Sequence, residues 1–129
     1  AVPEAALPRQ LLDAEVLDLA SFQQLLDGDM DIVVSILNEF IDSAEEGFGE
    51  GRAAFEVGDH ATARARFHKL AGSCASVYAL QLRGFALHSE RLLIEDVTDQ
   101  ATFAPLLKAM AAALPLLRAE IEAVNAQQS

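Results

Sequence analysis

His68 is the residue of this chain best suited to chemistry, because its neighbours on the predicted helix are small. It lies in the stretch ARFHKLAGSCASVYA, residues 65–79. On a helix, a residue shares its face with the residues three, four and seven positions away. For His68 these are Ala61, Arg64, Ala65, Ala71, Gly72 and Ala75. This strip is offset by about 100° from the apolar stripe through Phe67 and Leu70. We therefore expect the imidazole to emerge at the surface, unshielded by large side chains.

The small residues around His68 have two interpretations. Ala61, Ala71, Gly72 and Ala75 could allow close helix packing, with His68 incidental at the margin. Alternatively, they could form a bare platform on which another molecule docks. Gly72 weakens a helix interior by about 1 kcal/mol relative to alanine, which requires a reason. The local pattern alone leaves both interpretations open.

The charge distribution along the chain is uneven. The net charge of -11 argues against nucleic acid and against an anionic membrane surface as partners. Residues 1–59 contain 14 acidic and two basic side chains, whereas residues 60–129 contain six acidic and seven basic ones. Arg64, Arg66, Lys69 and Arg83 all lie close to His68 in sequence. A basic region on an acidic protein favours an acidic pocket or a phosphate group, and scattered surface charge is the alternative.

No other motif in the chain indicates an enzyme or a metal site. His60 and His88 show no paired ligand spacing such as H-x-x-x-H, so no metal is expected. The sequence contains no glycine-rich phosphate loop, no nucleophile elbow and no pair of carboxylates on one predicted face. The single cysteine, Cys74, forms no internal disulfide and is expected to be a small buried hydrophobic residue.

The hydrophobic pattern predicts an all-α fold, because 3.6-residue periodicity recurs and strand-like alternation is absent. Asp18 is expected to cap a short N-terminal helix. Four longer amphipathic helices follow, and they pack most simply as an antiparallel up-and-down four-helix bundle. The predicted helices are residues 19–26, 29–57, 60–77, 80–95 and 102–126, the last with a kink at Pro115. Three glycines near Phe48 weaken helix 29–57, where a break is the alternative to a continuous helix.

The predicted domain organisation is simple. Residues 1–17 are expected to form a linker or N-terminal arm, residues 18–126 the bundle, and residues 127–129 a tail. No apolar run approaches the length of about 20 residues that spans a bilayer, and the N-terminus lacks the features of a signal peptide. A cytoplasmic location, with no membrane contact, is therefore expected.

The run His68-Lys69-Leu70-Ala71-Gly72-Ser73-Cys74-Ala75 resembles the signature of histidine-containing phosphotransfer (HPt) domains, approximately H-x-L-K-G-S-S-A. The segment from Leu37 to Ala44 is similar to the L-x-x-F segment of the family's second helix, and Gly58-Asp59 to the turn before its active helix. The resemblance covers about residues 18–95. It departs from the family in two places: Ala71 stands where a lysine is usual, and Tyr78 replaces the glycine that commonly ends the helix. The second departure leads us to expect a differently shaped turn.

The resemblance implies a phosphocarrier that has no kinase activity and no cofactor of its own. His68 would attack through Nε2, accepting a phosphoryl group from a receiver-domain aspartate and passing it to another receiver. The receivers would supply the Mg²⁺, so that this chain needs only a correctly aimed ring. A monomer is expected, since His68 must remain accessible.

The resemblance also suggests supporting roles for other residues. Lys69 and Arg64 would hold phosphate oxygens or steer the partner, Gly72 would give room for its approach, and Glu39 and Ser43 would orient the other ring nitrogen. The expected docking residues are Leu25, Ile36, Ala71 and Ala75. The alternative is a helical-bundle scaffold that docks a receiver without accepting phosphate.

Overall fold

The computed structural model describes residues 7–128, and within that range every regular element is a helix. The helices are α1 (Arg9–Asp13), α2 (Leu19–Leu25), α3 (Met30–Glu56), α4 (His60–Val77), α5 (Leu80–Ile94) and α6 (Gln100–Gln127). Helices α3 to α6 each pack on the next, and α6 returns to α3, so that they close a four-helix bundle. Short connections between successive helices make the bundle antiparallel. The predicted fold class is confirmed.

Four helices begin at an aspartate whose carboxylate accepts the backbone N–H three residues further on. Such N-caps satisfy a backbone donor that has no partner within the helix. The pairs are Asp18 with Ser21 at 3.2 Å, Asp29 with Ile32 at 3.3 Å, Asp59 with Thr62 at 3.2 Å and Asp99 with Thr102 at 3.0 Å. The cap at Asp99 starts α6 at Gln100, two residues before the predicted start at Thr102.

The apolar stripe of α3 is buried along its whole length, as the periodicity predicts, and the helix is continuous through its glycines. The stripe comprises Val33, Leu37, Phe40, Ala44, Phe48, Gly51 and Phe55. Gly51 lies against α4, where an added Cβ would stand 2.9 Å from Cε1 of Phe67. Gly47 and Gly49 have no such neighbour. The alternative of a break near Phe48 is therefore wrong.

The turn from α4 into α5 is formed by Tyr78 in the left-handed conformation, with φ 65°. This is the conformation that glycine adopts most easily at a helix C-terminus. The backbone therefore keeps the shape that a glycine would give, contrary to the expectation of a different turn. The Tyr78 carbonyl also accepts the N–H of Asp18 at 2.9 Å, which ties the start of α2 to this turn.

Residues 7–17 are packed on the bundle, although the sequence suggests a linker or arm. Leu7 and Leu17 belong to the hydrophobic core. The Gln81 side chain donates to the carbonyl of Leu12 at 3.0 Å, and its backbone N–H donates to the carbonyl of Glu15 at 2.8 Å. Of the two expectations for this segment, residues 7–17 thus form an arm packed on the bundle and not a free linker. Residues 1–6 and Ser129 lie outside the described residues, so that the expectations for them stay untested.

Helix α6 is long and apolar enough, by length and composition alone, to cross a membrane, with a mean hydropathy of 1.3. The sequence analysis did not anticipate this. Within the bundle, the helix packs apolar residues into the core, where Phe103, Met110 and Ile121 are buried. The core helix of a soluble protein passes the same two criteria. The helix continues through Pro105 and Pro115.

Candidate functional site

The His68 side chain lies at the surface between α4 and α5, with 74% of its area exposed. Its Nδ1 atom is 2.7 Å from Oε2 of Glu90 on α5. A carboxylate oxygen only accepts hydrogen bonds, so we assign the proton of this contact to Nδ1. The lone pair of the ring is then on Nε2, to which no residue of the described chain bonds. This arrangement leaves Nε2 available as a nucleophile.

The packing of α4 and α5 fixes both members of this pair. Phe67 and Leu70 are buried, so the face of α4 that carries His68, about 100° away from them, points outward. On α5, Phe85 and Ser89 are buried, and the Ser89 hydroxyl donates to the carbonyl of Phe85. Glu90 therefore emerges at the edge of the core, where its side chain is only 15% exposed. Its confinement holds the carboxylate against the imidazole.

The depression around His68 is lined by Ala61, Arg64, Ala65, His68 and Glu90. Arg64 is the cation among these lining residues and lies one helical turn before His68. Lys69 lines a different depression between α3 and α4, together with Glu46, Glu50 and Arg66. The structure thus brings one of the two predicted phosphate-holding cations to the His68 depression and places the other across α4.

Close helix packing and a docking platform are the two interpretations of the small residues, and each applies to different positions. Ala71 is only 3% exposed and belongs to the core, so its assignment as a docking residue is wrong. Ala75 is exposed. Gly72 is also exposed, and a Cβ added to it would meet no atom within 4 Å. Close packing within the chain explains Ala71 but does not explain Gly72.

Glu39 and Ser43 lie in the groove between α3 and α4, beside Ile36, Ser73 and Ser76. The His68 depression is on the other side of α4, and Glu90 makes the contact with Nδ1. The prediction that Glu39 or Ser43 orients the ring is therefore wrong. Leu25 is 61% exposed on α2, as a docking residue requires, whereas Ile36 is partly buried against the core.

Glu90 is the site residue that the sequence analysis missed. It follows His68 by 22 positions on another helix, so no local spacing connects the two residues. The one available signal is that both residues flank the buried stripes of helices predicted to be neighbours.

The remaining histidines and the cysteine are parts of the packing. His60 packs against Phe55, with ring centroids 5.5 Å apart. Burial, with a smaller effect from nearby Arg91, lowers the pKa of His88. Burial also raises the pKa of Cys74 to about 12, so its thiol is protonated at neutral pH. Among residues 7–128, no three His, Cys, Asp or Glu side chains are grouped to hold a metal ion.

Comparison with known protein families identifies the chain. A family model described as the Hpt domain matches residues 35–127, which covers α3 almost from its start and all of α4, α5 and α6. This extends the resemblance beyond residue 95 to the last helix and leaves α1 and α2 outside. No curated protein and no solved structure was found to match the chain.

Proposed function

The chain belongs to the Hpt domain family, the phosphotransfer domains of two-component systems, and from this premise we propose that His68 carries a phosphoryl group between receiver-domain aspartates. The observation that carries the proposal is the contact between Nδ1 of His68 and Glu90 on an exposed ring. It assigns the proton to one nitrogen and leaves the other one free to react.

The proposed transfer proceeds by in-line displacement at phosphorus. The Nε2 lone pair forms a bond to the phosphorus atom while the bond to the aspartyl oxygen breaks, and the aspartate leaves as a carboxylate. Positive charge that develops on the imidazole is stabilised through Nδ1–H by the Glu90 carboxylate. The reverse reaction on a second receiver returns the phosphoryl group to an aspartate. The receiver supplies the Mg²⁺, and the chain contributes no cofactor.

The proposed docking surface surrounds His68 and extends toward α2. Gly72 and Ala75 are exposed and small, so that a partner can approach the α4 backbone closely. Leu25 offers an exposed apolar side chain, and Ile36 contributes only its accessible part. On the C-terminal side of His68, the exposed residues that share its face of α4 are Gly72 and Ala75, both small. We also propose that the protein is a monomer, because His68 must remain accessible to its partners. We propose a cytoplasmic location, where it would meet receiver domains.

The test is transfer from a phosphorylated receiver domain to the wild type, to His68→Gln and to His60→Gln as a matched control. Acid-labile, base-stable label is expected on the wild type and on His60→Gln, and none on His68→Gln. Label on all three proteins would show that another residue accepts the phosphoryl group. Absence of label on the wild type with a broad receiver panel would instead favour the scaffold function.

A further inference from the structure

We propose that Arg64 holds the phosphoryl oxygens on Nε2 of His68, and that Lys69 does not. This inference rests on the proposed function and concerns the same site. The family motif usually places a lysine three residues after the histidine. We assign the role of that positive charge to Arg64, four residues before His68.

The first argument is position. Arg64 and His68 are four residues apart on α4, so they lie one above the other on the same face. Both line the depression that Glu90 closes from α5. A guanidinium at this position can reach over the ring edge and present two parallel N–H groups to phosphoryl oxygens.

The second argument is availability. Four of the seven arginines are engaged by carboxylates: Arg9 by Asp13, Arg52 by Glu56, Arg66 by Glu50, and Arg118 by Asp42 and Glu45. Among residues 7–128, Arg64, Arg83 and Arg91 have no such partner, and of these three only Arg64 lines the His68 depression. Arg64 makes no hydrogen bond or ion pair with any residue in the range 7–128. Its guanidinium is therefore free to bind an anion without breaking an existing contact.

The third argument concerns the alternatives on α4. Lys69 projects into the depression between α3 and α4, where Glu46 and Glu50 also lie. Ala71 occupies the position of the motif lysine, but it is 3% exposed, so a long charged side chain there would start within the core. Of the three positions, only that of Arg64 combines a cation with the face of His68.

The fourth argument is the charge balance of the phosphorylated site. A phosphoryl group on Nε2 brings negative charge to a depression that already contains the Glu90 carboxylate. Like charges at short range raise the energy of the phosphorylated form, and a guanidinium in the same depression offsets this repulsion. Arg64 is then a determinant of how the phosphoryl group partitions between this chain and a receiver.

The test separates oxygen binding from steering of a partner by using phosphoramidate, a small donor. In this reaction the P–N bond of the donor breaks, a bond from Nε2 to phosphorus forms, and ammonia leaves with the bonding pair and a proton. The variants are Arg64→Gln, Arg64→Lys and, as a matched control on the same helix, Lys69→Gln. The measured quantities are the rate of labelling by phosphoramidate and the equilibrium constant for transfer from a phosphorylated receiver.

We expect Arg64→Gln to lower both quantities about tenfold, the effect of one charge-assisted hydrogen bond. Arg64→Lys should fall between it and the wild type, and Lys69→Gln should match the wild type. Equal effects of Arg64→Gln and Lys69→Gln would overturn the inference. So would an unchanged equilibrium constant in Arg64→Gln, since steering of a partner alters the rate of transfer and not its equilibrium. Failure to label the wild type with either donor would instead refute the proposed function. Thermal unfolding checks that the variants keep their fold.

Discussion

At the scale of single residues, the His68–Glu90 contact explains how an exposed histidine is held in one orientation. An imidazole on the surface rotates freely unless one nitrogen is bound, and the 2.7 Å contact binds Nδ1. Because Glu90 is mostly buried, it has few other positions to occupy. The reactive geometry therefore depends on a side chain that a partner would scarcely touch.

Gly72 provides a test of the docking platform, because no packing contact among residues 7–128 requires a glycine there. Gly72→Ala is expected to raise the free energy of unfolding by about 1 kcal/mol, since alanine favours the helix and meets no atom. The same change should slow phosphoryl transfer from a receiver, because the new methyl group stands one turn from His68. Unfolding in denaturant and the initial rate of transfer measure the two effects.

Gly49→Ala is the matched control for this prediction. Gly49 is exposed within α3, and an added Cβ would likewise meet nothing within 4 Å. This variant should gain similar stability and transfer phosphate at the wild-type rate. If Gly72→Ala gains stability without any loss of transfer rate, the small residues around His68 are not a docking platform.

At the scale of elements, aspartate caps set where the helices begin and make part of the stability dependent on pH. Hydrogen bonds from Thr62 lower the pKa of Asp59, and those from Thr102 lower the pKa of Asp99, below the ordinary value of 3.8. A carboxyl whose pKa is lower in the folded state contributes stability above pH 3.8. This contribution is lost as the pH falls through the folded-state values.

The double variant Asp59→Asn, Asp99→Asn tests this dependence. Asparagine also caps helices well, but it does not titrate. We therefore expect unfolding temperatures close to the wild type at pH 7 and a smaller decrease than the wild type between pH 5 and pH 2. The range from pH 5 to pH 2 extends about one to two pH units to either side of the ordinary pKa of aspartate. Parallel decreases in the two proteins would show that the caps contribute nothing to acid sensitivity.

At the scale of the whole molecule, the N-terminal segment completes the bundle. Leu17 is 7% exposed and lies in the core, whereas Leu25 is 61% exposed. Leu17→Ala is expected to lower the free energy of unfolding by about 2 kcal/mol or more, as other buried leucines do. Leu25→Ala should change it by less than about 0.5 kcal/mol. Denaturant unfolding measures both values.

The same pair of variants separates stability from binding. Leu25→Ala is expected to weaken receiver binding while it leaves the helical circular dichroism signal unchanged. If Leu17→Ala proves as mild as Leu25→Ala, residues 7–17 are not part of the folded unit, contrary to the packing described above. A loss of helical signal in Leu25→Ala would mark this residue as a structural one.

The sequence by itself determined helices α2 to α5, most of α6 and the exposed position of His68, but it did not indicate α1. Both follow from local rules: a 3.6-residue period assigns Phe67 and Leu70 to the core and His68 to the surface, and Asp18 marks the start of α2. The family motif added the chemistry of that histidine. These conclusions need no knowledge of how the helices are rotated against one another.

Only the tertiary structure decided which residues share the site. The rotation and register of α5 on α4 bring Glu90 to Nδ1, and the same packing puts Lys69 in the opposite groove and Ala71 in the core. Residues at the flanks of an apolar stripe lie near the border between core and surface, so periodicity assigns them poorly. The N-terminal segment has no clear periodicity, and its burial depends on a surface that α5 and the Tyr78 turn create. Contacts between distant residues are set by the packing of whole helices, which no local spacing encodes.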